Sequence, residues 1–160
     1  MKKSIFAAVI FGVFLVIRAE ASLISFFVIE TGLPEETGIN QNSIIWENAF
    51  MDVFFDAGYI VSNYPMLRYE TKPEGNILEI SGFNVFEAKD AGVDYILISK
   101  LDYSPPAQLP ESISFYVFKV DQYEIIYEKH INGKNIRGGQ LANDDLKTII
   151  NELARFVINL

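Results

Sequence analysis

KDAGVDYILISKLDY, Lys89 to Tyr103, sits at the centre of any folding scheme for this 160-residue chain. It reads as the end of a helix, a stop at Gly92 and then a strand. Ile96, Leu97 and Ile98 are consecutive apolar residues. Both faces of that strand must then be covered, as in a central strand flanked by helices. Past Ser99 the pattern alternates, with Leu101 and Tyr103 on one side and Lys100 and Asp102 on the other. That predicts a strand that leaves the core and becomes half exposed. A similar phrase, FDAGYIV, stands at Phe55 to Val61.

Upstream, Leu23 to Ile29 is apolar on both faces and reads as a first, buried strand. Residues 30 to 41 form a loop with Gly32, Pro34 and Gly38. Asn42 or Ser43 is placed to cap a helix, with Glu47 in its first turn. The pairs Ile45/Trp46, Ala49/Phe50 and Val53/Phe54, then Ala57, make a wide helical stripe, which Gly58 ends. Tyr59 to Ser62 starts a second strand. A strand–helix–strand connection predicts parallel strands and a right-handed crossover.

Residues 63 to 81 show no clear period, and a short helix is expected from Phe83 to Ala91. Downstream of the central strand, SPPAQLPES (Ser104 to Ser112) is a proline-rich loop. Ile113 to Val120 and Tyr123 to Ile131 read as a hairpin around Asp121-Gln122. In its second strand Tyr123, Ile125, Tyr127 and Ile131 share one face, and Glu124, Glu128 and His130 the other with Ile126. That strand should lie near a sheet edge. Asn132 to Gln140 is a glycine-rich loop. Asn143 then caps a final helix with the apolar set Leu146, Ile149, Ile150, Leu153, Val157 and Leu160. The order β-α-β-α-β-β-β-α predicts one mixed α/β sheet: three parallel strands extended by an antiparallel hairpin, with helices packed on the sheet.

Residues 1–21 stand apart from this domain. Lys2 and Lys3 precede an apolar run of 13 residues, Ile5 to Ile17, too short to span a bilayer. Ala19-Glu20-Ala21 is a small-x-small cleavage site, so residues 1–21 read as a signal peptide and 22–160 as a single exported domain. The alternative is an uncleaved anchor, which Arg18 argues against. The chain has no cysteine, hence no disulfide and no thiolate metal site. Residues 1–21 hold three of the 13 basic residues and one of the 21 acidic ones. That leaves 10 against 20 in residues 22–160, a net charge of −10. Such a balance argues against nucleic acid and anionic lipid as partners.

Three phrases resemble a known group. The helix and strand from Ala49 to Val61, the phrase Ala91-Gly92-Val93-Asp94-Tyr95-Ile96-Leu97, and the hairpin Phe115 to Tyr127 are similar to the α/β domain shared by the amino-terminal part of TolB-like proteins, the CsgG family and the periplasmic lipoprotein activators of penicillin-binding proteins. The chain departs from that group in having no lipidation cysteine, and in Ile98-Ser99 where a glycine turn is usual. The resemblance implies this fold, an envelope setting, and assembly or partner binding without catalytic residues.

The candidate chemistry is sparse. His130 is the one histidine, which excludes a multi-histidine metal site, and on a polar strand face it reads as solvated. The phrase Gly133-Lys134-Asn135-Ile136-Arg137-Gly138-Gly139 misplaces the lysine of a phosphate loop and reads as a linker. Asp94 and Asp102 share a strand face but lie roughly 26 Å apart at about 3.3 Å per residue, too far to work as a pair; Asp94 reads as ending the preceding turn. Glu35-Glu36 and Asp144-Asp145 read as solvated or first-turn acids. No catalytic residue, metal ligand or cofactor is expected.

Aromatic and proline residues form a more informative group. Tyr64, Pro65, Met66 and Tyr69 fall in one loop, and Tyr103, Pro105, Pro106 and Leu109 in another. Parallel topology sends both loops to the carboxyl ends of the strands, where open α/β sheets bind ligands. Tyr64, Tyr69, Tyr103, Pro105 and Pro106 are therefore expected to be exposed and close together as a partner-binding rim, the other reading being a small core folded over the sheet end. The function expected is a non-enzymatic binding or assembly module of the periplasm, its partner another envelope protein. The alternatives are a small-ligand-binding protein or enzyme with a site at the strand ends, and a structural subunit that self-assembles through Tyr123 to Ile131. Export is directly checkable: mass spectrometry of the protein from its host should find Ser22 as the first residue, and an intact Met1 to Ala21 would overturn the cleavage.

Overall fold

The computed structural model describes residues 22–106, 109–133 and 143–160. Strand β1 (Leu23–Thr31) leads through a 3-10 turn (Glu35–Thr37) into helix α1 (Gln41–Asp56). Strands β2 (Ile60–Asn63) and β3 (Leu67–Tyr69) follow, then short helices α2 (Ile77–Ser81) and α3 (Val85–Asp90). Strands β4 (Tyr95–Asp102), β5 (Ser112–Lys119) and β6 (Glu124–Asn132) precede helix α4 (Asn143–Ile158). The strands form one mixed sheet in the order β2-β1-β4-β5-β6, with β3 also pairing with β1. The pairs of β1 with β2, β3 and β4 are parallel; β4–β5 and β5–β6 are antiparallel. This is the expected parallel part extended by a hairpin, and β4 is its middle strand.

Both faces of the sheet are covered, as the apolar run in β4 requires. Ile24, Phe26, Val28, Leu97, Leu101, Ile113, Phe115 and Val117 face α1 and α4. Phe27, Ile29, Ile96, Ile98 and Phe118 face α2 and α3. The stripe on α1 buries Trp46, Phe50 and Phe54. Phe50 is the hub of this layer: its ring centroid lies 5.1 Å from Phe26, 5.2 Å from Trp46 and 5.2 Å from Phe115. Such offset and tilted ring pairs stabilise beyond their buried area.

Several boundaries differ from the sequence expectation for local reasons. Asn40, not Asn42 or Ser43, caps α1 by accepting from the Asn42 N–H at 2.8 Å. Residues 63–81 contain β3 and α2. Asn76 caps α2 through the Glu79 N–H, and left-handed Gly82 separates it from α3, so the helix expected from Phe83 to Ala91 is the second of two. Helix α4 is described from Asn143, with the residues before it outside the described ones, and Leu160 is exposed. The hairpin turn spans four residues between Lys119 and Glu124 instead of two, with Tyr123 in the left-handed region at φ 57°. A register shift then pairs Val117 with Tyr127 but Phe118 with Ile125. That bulge breaks the two-residue parity, so Ile125 does not share a face with Tyr127 and Ile131. The end of β4 also stays buried, because Asp102 is enclosed by its partners. Residues 1–21, read above as a signal peptide, and the glycine-rich phrase from Lys134 onward lie outside the described residues.

The carboxyl end of the sheet closes on Gly32. Its N–H donates to the Tyr69 carbonyl at 2.9 Å, while the Tyr103 N–H donates to the Thr31 carbonyl at 2.9 Å, so both neighbouring strand ends crowd it. Its φ is +82°, and a Cβ there would lie 2.2 Å from the Tyr103 carbonyl oxygen. Glycine is needed on both counts. Gly32→Ala should cost on the order of 3 kcal/mol, read as a lowered midpoint in urea unfolding with the slope unchanged.

Candidate functional site

The most distinctive surface feature begins at Pro65. Along β2 each β1 residue i faces residue i+37, as Phe26 faces Asn63; along β3 it faces i+38, as Ile29 faces Leu67. One extra residue is therefore inserted between them. Tyr64 still donates its N–H to the Phe26 carbonyl at 3.1 Å, but Pro65 has no N–H and the ladder lapses there. The bulge turns Tyr64 over the α2–α3 face, where its ring stacks on Phe27 at 4.3 Å. Phe83, just after Gly82, meets both rings nearly at right angles, 4.9 Å from Phe27 and 5.7 Å from Tyr64.

The opposite wall comes from α2 and α3. Tyr69 holds α2 against β3 by donating its hydroxyl to the Ile80 carbonyl at 2.7 Å. Asn84 caps α3 by accepting from the Phe86 and Glu87 N–H groups, and its amide donates to Glu87 Oε1 at 2.9 Å. This is a reciprocal cap that fixes the Glu87 side chain. Between the walls lies a cleft of about 240 Å³, lined chiefly by Phe27, Tyr64, Pro65, Leu67, Phe83 and Glu87.

The five residues expected to form a rim do not lie together. Tyr64 is 41% exposed and Pro65 beside it is exposed. Tyr69 is half-buried on the same face, and Pro105 and Pro106 are exposed in the loop after β4. Tyr103 is 3% exposed and belongs to the opposite layer, its hydroxyl 2.8 Å from Ser43 Oγ on α1. Burial raises the Tyr103 phenol well above its ordinary range, against the opposing Ser43 hydrogen bond. Alternation along β4 is the reason: Tyr103 continues the row of Leu97 and Leu101, so it packs inward instead of joining Tyr64.

Two polar groupings escaped sequence reasoning. Glu30 is fully buried, its Oε2 held by Arg68 Nε and Nη2 at 2.8 and 2.5 Å and its Oε1 by the Asn40 N–H at 2.9 Å. On the other face Asp102 accepts from Thr31 Oγ1 at 2.5 Å and Ser112 Oγ at 2.9 Å, with Lys100 Nζ at 3.3 Å. Burial pushes the Asp102 carboxyl up, but these hydrogen bonds and the charges of Lys100 and Lys72, the latter with Nζ at 3.6 Å, outweigh it and hold the group below its ordinary value. Nearby His130 is exposed, yet its Nδ1 lies 2.9 Å from Ser114 Oγ, its neighbour across β5–β6. Asp94 Oδ2 accepts from the Leu23 N–H at 2.9 Å and so anchors the start of β1. Among the described residues no group of three His, Asp or Glu side chains is placed to hold a metal ion.

The architecture is thus a mixed α/β domain with an aromatic cleft at an interrupted edge strand. The chain belongs to a protein family described as "Uncharacterised protein", matched over residues 24–158. No curated protein matches it. Solved structures similar to it include TolB from Acinetobacter baumannii, with 10% identity and a TM-score of 0.49 over 87% of this chain and 28% of that one. They also include lipoprotein GNA1162 from Neisseria meningitidis, with 12% identity and a TM-score of 0.45 over 87% and 99%. A third is the LpoB C-terminal domain from Salmonella enterica, with 14% identity and a TM-score of 0.41 over 69% and 81%. The chain therefore spans about a quarter of the TolB chain. At these identities and TM-scores the likeness says nothing of function. Among the described residues no helix is long and apolar enough to cross a membrane.

The two tyrosines should respond differently to truncation. Tyr103→Ala should lower stability by about 3–5 kcal/mol, the cost of losing a buried aromatic side chain. Tyr64→Ala should cost no more than about 1 kcal/mol, because much of its ring is in solvent. Chemical denaturation of both variants checks the pair.

Proposed function

We propose that this chain is an exported envelope protein that binds a protein partner, and that the cleft beside Tyr64 is where it does so. The observation that carries the reading is the cleft: the rings of Phe27, Tyr64 and Phe83 meet there beside Pro65, and Tyr64 and Pro65 remain exposed. Tyrosine offers a binding surface a large apolar area at low side-chain entropy cost, and central aromatic pockets are where interface energy concentrates. The basic n-region, apolar run and small-x-small site support export, and the phrases resembling TolB-like domains agree with an accessory role.

A second reading is favoured by the hairpin. Strand β6 pairs only with β5 among the described strands, so its outer edge could receive a second copy. Light scattering of the purified domain distinguishes the two, since a monomer at high concentration rules out strand-paired assembly.

The test of the cleft is site-specific photo-crosslinking in the host. A photoreactive phenylalanine analogue at position 64 should give a discrete protein adduct, while the same group at exposed Phe55, on α1, should not. Equal labelling from both positions, or from neither, would count against the cleft as the partner site.

A further inference from the structure

The cleft combines largely apolar walls with a single charged lining residue, Glu87. Its volume of about 240 Å³ exceeds the ~150 Å³ cavity that takes one benzene, and it falls below the ~300–1,000 Å³ of small-molecule sites. It suits one long side chain better than a cofactor. Phe27, Tyr64 and Phe83 supply ring surface, and Glu87 supplies charge. Glu87 Oε1 is engaged by Asn84, which orients the carboxylate, and no described residue bonds Oε2. The nearby cation Lys89 is committed elsewhere, its Nζ lying 4.7 Å from the centre of the Tyr123 ring.

We propose that this cleft receives an arginine side chain from a basic segment of the protein partner, its stem and guanidinium plane against the rings and its N–H fork on Glu87. This deepens the binding-module reading and rests on it. Arginine suits the geometry because its planar, weakly hydrated head stacks on aromatic faces while donating to a carboxylate. An apolar side chain would make no use of Glu87 Oε2, which no described residue bonds, and an anion would meet like charge. The surrounding field favours the same sign, since residues 22–160 carry a net charge of −10, which draws cationic segments toward the protein.

The experiment uses isotope-labelled exported domain, with ¹H–¹⁵N correlation spectra recorded during titration with three capped tripeptides, Gly-X-Gly, where X is arginine, citrulline or norleucine. The arginine probe should give saturable shifts at the amides of Gly82, Phe83, Asn84 and Glu87. Citrulline, the uncharged isostere, should bind at least about fivefold more weakly, and Glu87→Gln should weaken the arginine probe by a similar factor, as expected for a partly exposed charge-assisted pair. Glu87→Gln keeps the amide oxygen for Asn84, and an unchanged spectrum away from the cleft confirms that it folds. Norleucine binding as well as arginine, an unaffected Glu87→Gln variant, or shifts elsewhere on the domain would overturn the assignment. If position 64 still crosslinks a partner while no probe binds the cleft, the arginine proposal falls and the binding-module reading stands. If the probe binds but no adduct forms, the cleft has arginine chemistry but the protein-partner reading falls, and with it the assignment of that arginine to a protein segment.

Discussion

Much of the carboxyl end of this sheet depends on one buried charge, Glu30. A carboxylate with no solvent access is costly unless it is paired and fully hydrogen-bonded. Arg68 does the pairing from β3, and the same guanidinium reaches the Pro34 carbonyl and Thr37 hydroxyl at 3.1 and 3.2 Å. The Asn40 N–H completes the set from the start of α1. One side chain thus gathers β1, the 3-10 turn, the helix start and β3. It also gives β3 a reason to return to β1 after the lapse at Pro65, and that return shapes the cleft. Without it the chain after Tyr64 would meet β1 only through the short ladder from Leu67 to Tyr69 and the Gly32 bond to the Tyr69 carbonyl.

The two faces of the sheet are built to different ends. The α1–α4 face is a dense aromatic and aliphatic layer, closed by Tyr103 and Ser43. The α2–α3 face is thinner, because α2 and α3 have only five and six residues. Helices that short cannot cover the whole face of a sheet. They leave room for the Tyr64 cleft at one side and for the polar row of Asp102, Ser112, Ser114 and His130 toward β6. On the thin face side chains remain reachable over a rigid support.

The order of elements, the parallel part and the hairpin were legible because they rest on local signals. Three apolar residues in a row at Ile96 to Ile98, paired apolar positions from Ile45 to Phe54, and glycines at 58 and 92 each report on their own segment. Residues 63–81 were illegible because their structure is not local. Leu67, Arg68 and Tyr69 form a strand only because β1 offers an edge at that height and Glu30 waits for Arg68. Asn76 and Asn84 are ordinary cap residues whose helices are too short to show a period.

The same division explains the candidate site. Tyr64 and Pro65 could be picked out by residue type, and their exposure follows from proline's missing N–H, a property of the residue itself. Tyr103 could not be separated from them by type, since both are tyrosines following a strand. Which side of the sheet each one enters depends on the inserted residue in one case and on unbroken alternation in the other. A strand's parity is written in its own residues, but a bulge arises from pairing with a neighbour. Residue pattern thus specified the longer elements, their order and the net charge. The meeting of Phe27, Tyr64, Phe83 and Glu87, from three separate segments, came from packing, because contacts between distant segments are set by how strands pair and not by spacing along the chain.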